Sequence, residues 1–202
     1  MRFRDSSLLD PIFNSYLVKW DWEFGDGNVA SNESVGNFYQ APGNYKLLLT
    51  PYTNHGCHQT SETDVLVRPK PRANILVKND QICAGSVINF QDETYFDYTY
   101  DTTGVVDWRW DFGDGNSSKV KDPSNIYATG GNYKTKLRVE TSFNCVDSTE
   151  ITTVVFHNPK ANFDFDSIVG CSPMCVTFMD KSRVLSGDSL VYKWDFGDGN
   201  ST

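Results

Sequence analysis

The sequence predicts an all-β chain built from tandem antiparallel sandwiches. Three observations carry that reading. A seven-residue phrase is written three times, as WEFGDGN at 22–28 and WDFGDGN at 110–116 and 194–200. The residues leading into each copy alternate apolar and polar with period two. An Asp-Gly pair follows each alternating run, where a tight turn would send the chain back.

The repeat extends well beyond the phrase. Trp22 and Trp110 are 88 residues apart, and Trp110 and Trp194 are 84 apart. At the 88-residue offset, GNYK at 43–46 lies over GNYK at 131–134, Tyr39 over Tyr127, Cys57 over Cys145, and Cys83 over Cys171. PRAN at 71–74 lies over PKAN at 159–162, and INFQD at 88–92 over VTFMD at 176–180. The Pro-containing stretches mark the edges and set three modules: 1–69, 70–157 and 158–202. The middle module is expected to be complete. The first opens at FRDSS (3–7), which matches FQDET (90–94), so it is expected to lack its first strand. The third is expected to hold only the N-terminal half, to be marginal alone and to expose an open strand edge. The chain thus reads as a window on a longer array, with Met1 the start of a fragment.

The strands follow from the alternation. In 105–112, Val106, Trp108, Trp110 and Phe112 face one way, and Asp107, Arg109 and Asp111 the other. The first module sets Val18, Trp20, Trp22 and Phe24 against Lys19, Asp21 and Glu23; the third sets Tyr192, Trp194 and Phe196 against Lys193 and Asp195. One apolar face at period two predicts a half-buried strand, so these aromatics are expected to be core. NYKTKLRVE at 132–140 predicts a second such strand, with STEITTVVF and ANILV as others. No useful 3.6-residue apolar period appears. Short strands with frequent turns predict a sandwich of about seven strands.

FGDGN is then a turn, because glycine reaches positive φ without steric cost. A phosphate cradle would need a helix to follow, whose first amides hold the anion. NSSKVKDPSN follows Gly115 instead, with a proline and no apolar helical face.

Composition limits the partners. The net charge is −8 and the pI about 4.8. Nucleic acid needs a basic footprint, which is missing, and no polybasic run faces a membrane. No apolar run approaches the length of a membrane span, and no signal-peptide core is visible at the start. No nucleophile motif or repeating Ser, His and Asp set occurs, so no catalytic residue is assigned and the chain is read as no enzyme.

Candidate sites follow from the same offsets. Asp26, Asp114 and Asp198 are weak calcium candidates, each a single acid between glycines where calcium takes six to eight oxygens. No other cofactor is expected. His55, Cys57 and His58 in HGCH resemble zinc ligands, but Phe143 and Val146 stand at the offset positions of the histidines; His157 is isolated. A cysteine pair per module suggests disulfides and an oxidising compartment. Three pairings stay open for Cys57, Cys83, Cys145, Cys171 and Cys175. They are Cys83 with Cys145 inside a module, first-turn with last-hairpin cysteines of neighbouring modules, and Cys171 with Cys175 locally.

The residues Trp110, Asp111, Gly113, Asp114 and Gly115, then Tyr127, Gly131 and Tyr133, resemble the hallmark of the PKD domain (polycystic kidney disease repeat). Trp22, Gly25, Asp26, Gly27, Tyr39, Gly43 and Tyr45 match it again, with Glu23 in place of its second-position aspartate. Trp194, Asp195, Gly197, Asp198 and Gly199 repeat its first part. The resemblance covers nearly the whole chain and implies immunoglobulin-like β-sandwiches of roughly 80–90 residues. It also implies a non-catalytic spacer, adhesion, or protein- or glycan-binding segment of a large secreted or cell-surface protein, flanked by more such modules. Tandem copies with these cysteines resemble surface proteins of Bacteroidota-type bacteria. The alternative is an accessory module that presents substrate to the catalytic domain of a secreted polysaccharide- or protein-degrading enzyme.

Overall fold

The computed structural model describes residues 1–7, 14–78, 82–167, 169–185 and 189–201. Among them there is no helix, and none therefore long and apolar enough to cross a membrane. Every regular element is a strand. The first module holds β1 (Arg2–Arg4), β2 (Leu17–Glu23), β3 (Val29–Ala30), β4 (Ser34–Gly36), β5 (Gly43–Thr53) and β6 (Ser61–Val67). They form a four-stranded sheet, β3-β2-β5-β6, and a two-stranded one, β1-β4. β5 carries Pro51, which has no N–H to give. Its pairing with β6 ends at Leu49 opposite Ser61, so no ladder bond to β6 is asked of the proline.

The second module adds β7 (Ile75–Val77), β8 (Ile82–Cys83), β9 (Val87–Asp92), β10 (Val105–Asp111), β11 (Ser117–Ser118), β12 (Ser124–Ile126), β13 (Gly131–Thr141) and β14 (Val146–Phe156). Its sheets are β11-β10-β13-β14-β8 and β12-β9-β7. β2 and β10, β3 and β11, and β5 and β13 start and stop 88 residues apart, so the repeat in sequence is a repeat in structure. The second module has a strand, β7, on the outer side of β9; among the described residues the matching sheet of the first has β1 and β4 alone. The third module shows β15 (Phe163–Phe165) paired with β16 (Phe178–Asp180).

By its internal contacts the chain divides into two compact units. One comprises Met1–Arg72, Thr94–Asp107 and Val139–Asp147; the other comprises Ala73–Glu93, Trp108–Arg138 and Ser148–Thr202. The core of the first is Trp22, Phe24, Leu47 and Val65, with Phe3, Val35, Tyr39 and Tyr45 packed on it. The second buries Ile88, Phe90, Trp110, Phe112, Tyr127, Leu137 and Val155. Burying aromatic rings in this number is the main stabilising term in each.

The structure corrects the sequence reading in three places. Val18 and Val106 point the way of the inward stripe yet are about half exposed, because burial increases along each strand toward the Gly-rich turn. The run at 190–196 predicts a strand but forms none; only an isolated bridge joins Asp195 to Ser201. A strand exists by pairing, and no described strand lies beside this run, so Phe196 stays 40% exposed. The intramodule disulfide fails on geometry. Cys83 lies beside Phe156 at one end of β14, and Cys145 precedes Val146 at the other. At about 3.3 Å per residue, the two ends of that strand are far beyond the 7 Å that a disulfide spans. None of the five cysteines is bonded to another within the chain; Cys145 is half-buried and the others are exposed.

Candidate functional site

The repeated phrase builds the same hairpin turn three times. Phe24, Phe112 and Phe196 each donate their N–H to the carbonyl four residues on, at Asn28, Asn116 and Asn200, over 3.1, 3.1 and 3.2 Å. Both glycines of every copy sit in the left-handed region, with φ of +78° and +90° in the first, +77° and +93° in the second, and +77° and +89° in the third. Asp111 and Asp195 take the N–H of Gly113 and Gly197 at 2.9 Å. Glu23, one methylene longer, stands at that position in the first module.

The central aspartate is an acceptor hub. Asp114 receives the N–H of Asn116 (2.9 Å), its side-chain amide (3.0 Å) and the amide of Asn125 from β12 (2.8 Å). Asp26 receives the N–H of Asn28 (3.0 Å), its amide (2.9 Å) and the amide of Asn37 (2.7 Å). Asp198 takes the two bonds from Asn200, at 2.9 and 3.0 Å. These oxygens face N–H dipoles, the electrostatic opposite of a cation site. No group of three or more His, Cys, Asp or Glu able to hold a metal ion occurs among the described residues. In HGCH, His58 lies tilted against Tyr52 with centroids 4.9 Å apart, and His55 meets Asn54 at 3.3 Å.

These bonds set the titration. The Asn37 amide is the largest influence on Asp26 and holds its carboxyl below the usual range. Burial pushes the Asp114 carboxyl up, but the bonds from Asn125 and Asn116 outweigh it and the net shift is also downward. A depressed folded pKa stabilises the fold above the unfolded value of about 3.9, and that stability is lost as pH falls through the lower folded value. Acid titration followed by circular dichroism is expected to show stability flat from neutral pH to about 4 and falling below it. Asp26→Asn with Asp114→Asn should shallow that fall; an unchanged acid limb would separate the turns from acid stability.

Three aromatics pack behind each turn. Trp22 and Phe24, Trp110 and Phe112, and Trp194 and Phe196 all stack with centroids 6.4 Å apart. Phe3, Phe90 and Phe178 lie against these pairs at 5.2–6.2 Å. The Tyr39 and Tyr127 hydroxyls then donate to the carbonyls of Phe24 and Phe112 at 3.1 and 3.0 Å, clamping the turn to the core. Tyr45 lies tilted against Tyr39 at 4.5 Å, and Tyr133 stacks on Tyr127 at 4.2 Å.

Sequence reasoning missed several partners. Asn37 and Asn125 each stand eleven residues after their aspartate, a recurrence that marks them. Trp20 and Trp108 donate their indole N–H to Asp5 and Asp92 at 2.9 and 2.8 Å. The modules also differ in one buried donor. Trp22 gives its indole N–H to the Asn32 carbonyl at 2.9 Å, whereas the same atom of Trp110 is buried without a partner. Trp22→Phe is therefore expected to cost its module about 1 kcal/mol more than Trp110→Phe costs the second. Hydrogen exchange on each module reads the difference, and equal losses would mean the Asn32 bond contributes nothing net.

A different cluster occupies the loop between β9 and β10. The segment 94–104, TYFDYTYDTTG, carries four aromatics in six residues. Phe96 is 6% and Asp101 3% exposed, and both fix the loop from beneath. Asp101 takes the N–H of Thr103 at 2.9 Å as well as its hydroxyl; these bonds hold its carboxyl below the usual range against its burial. Arg68 lies 3.9 Å from the other oxygen, donates to the Tyr100 carbonyl at 3.3 Å and lays its guanidinium 3.4 Å above the Phe143 ring.

Comparison with known proteins adds the following. The family model of the PKD domain matches residues 13–67 and again 68–156. Human polycystin-1 is 25% identical over 210 residues, spanning 90% of this chain and 5% of that protein's length. Among solved structures, the PKD1 domain of Vibrio anguillarum Epp is 26% identical, covers 44% of this chain and 96% of its own, and superposes with a TM-score of 0.38. The PKD1 domain of the Vibrio cholerae metalloprotease PrtV is 24% identical, covers 43% and 98%, and gives 0.37.

Proposed function

The chain belongs to the PKD domain family, and from that premise we propose that it is a non-catalytic structural and interaction segment of a larger secreted or cell-surface protein. One observation carries the reading. The chemistry-bearing residues of the repeated motif are used up in the scaffold. The aspartates accept turn amides, the tyrosines clamp carbonyls, and the tryptophans stack in the core. What the repeat supplies is a rigid sandwich, and function is left to the loops that differ between modules.

Protease shaving of intact cells that make the parent protein tests the exterior assignment. Peptides from 105–156 are expected to be released without lysis and to react with an antibody raised on this chain. Recovery only after lysis would overturn it.

A further inference from the structure

We propose that the loop 94–104 is a contact site for an uncharged polysaccharide, with Tyr95 and Tyr98 as its stacking platforms. The inference rests on the interaction-module reading and names that module's surface and ligand class. The first observation is a contrast between modules. The turn, the aromatic stack and the tyrosine clamp recur, as a scaffold must. The loop does not: the matching stretch of the third module, KSRVLSGDSL at 181–190, has no aromatic residue, and that of the first, SLLDPIFNSY at 7–16, has two, both near its end rather than its start. A variable loop on a repeated frame is where binding concentrates.

The second observation is that this loop is tied down by hydrogen bonds while its rings are left outside. Tyr95 is 64% and Tyr98 61% exposed. The Tyr95 backbone nonetheless exchanges two hydrogen bonds with Arg72, at 2.9 and 3.0 Å. The Tyr98 ring stands edge-on to Phe96 at 5.1 Å and covers Gly104, where a Cβ would lie 3.1 Å from it. Gly104 has φ of +68°, a conformation that strains an L side chain. The Thr103 and Ser142 hydroxyls tie the loop to the β13–β14 hairpin at 2.8 Å. Exposed tyrosines fixed in this way give contact area at little entropic cost on binding.

The chemistry then selects the ligand. Between 94 and 104 there is no aliphatic side chain; the rings are bordered by Asp97, Thr99 and Thr102. A protein hot spot buries its aromatic among apolar neighbours. Rings set among hydroxyls and a carboxylate match a pyranose, which offers C–H groups on its face and hydroxyls on its rim. The net charge of −8 disfavours anionic polymers.

The test is affinity electrophoresis, followed by calorimetry, of the whole chain in hydroxyethylcellulose, galactomannan, arabinoxylan and laminarin, with hyaluronan and heparin as anionic controls. At least one neutral polymer is expected to retard the chain and neither control to do so. Tyr95→Ala with Tyr98→Ala should weaken binding about tenfold or more, with hydrogen-exchange protection of 105–156 retained because both rings are mostly exposed and lie outside the buried core of that segment. Tyr95→Phe, which keeps the ring, should retain it. Passage through every neutral polymer without retardation overturns the proposal. Retardation that survives the double substitution also overturns it, and leaves the interaction-module reading standing. Binding to immobilised gelatin that the double substitution abolishes would make the loop a protein contact and the glycan assignment wrong. Failure of the exterior assignment shows separately, in the shaving experiment.

Discussion

Trp110→Ala is expected to destabilise the second module by about 4 kcal/mol. Trp110 is 2% exposed, stacked on Phe112 and tilted against Phe90 with centroids 5.7 Å apart, so truncation removes the centre of the aromatic stack and leaves a cavity. Domains of this size hold about 5–15 kcal/mol, so most of the margin goes. The same change at Trp194 is expected to cost less than about 1 kcal/mol, because its neighbours Phe163, Phe178 and Phe196 are themselves 37–54% exposed. A chain of several modules does not unfold in one step. The right measurement is therefore hydrogen exchange resolved on peptides from 105–156 and 163–196. Equal acceleration in both regions after either substitution would contradict the burial argument.

Gly113→Ala is expected to cost about 3 kcal/mol, and Gly115→Ala, two residues away, about half that. Both glycines are left-handed, which costs an L-residue about 1–2 kcal/mol. The difference is steric. A Cβ on Gly113 would lie 2.7 Å from the Lys134 carbonyl oxygen and 3.0 Å from its nitrogen, both in the backbone of β13. Backbone cannot rotate away as a side chain can, so the strand must shift, adding about 1–3 kcal/mol. Around Gly115 nothing lies within 4 Å. Gly25 and Gly27 repeat the contrast against Lys46, which makes the first module an internal control. Hydrogen exchange resolved on peptides from 17–67 and 105–156 should sort the four single variants into two pairs, Gly25 with Gly113 and Gly27 with Gly115; four equal losses of protection would mean that φ alone matters.

Much of the scaffold was legible because it is written locally and then repeated. Period-two alternation marks β2, β10 and β13, and Asp-Gly marks the turns, since both depend on neighbours in the chain. The 88-residue offset then showed that HGCH has no counterpart in the second module. Legibility fell where a partner was remote in sequence. Asn125 completes the Asp114 hub from eleven residues away, and Arg68, at the end of the first module, reaches Asp101 and Phe143, which lie 33 and 75 residues further on. The tyrosine loop is visible as composition, but exposure of Tyr95 above buried Phe96 is not.

The sequence by itself determined the class, the turn positions and the Trp and Phe pair of each aromatic stack. Periodicity and glycine conformation are properties of short segments, and a repeat states them more than once. The tertiary structure alone decided which residues on the inward stripe are truly buried, and that Cys83 and Cys145 stand at opposite ends of β14. It also decided that the motif aspartates face amides, and that one loop turns its rings outward. Each of these depends on which strands pair and where they end, and pairing is made by contacts between residues far apart in the chain.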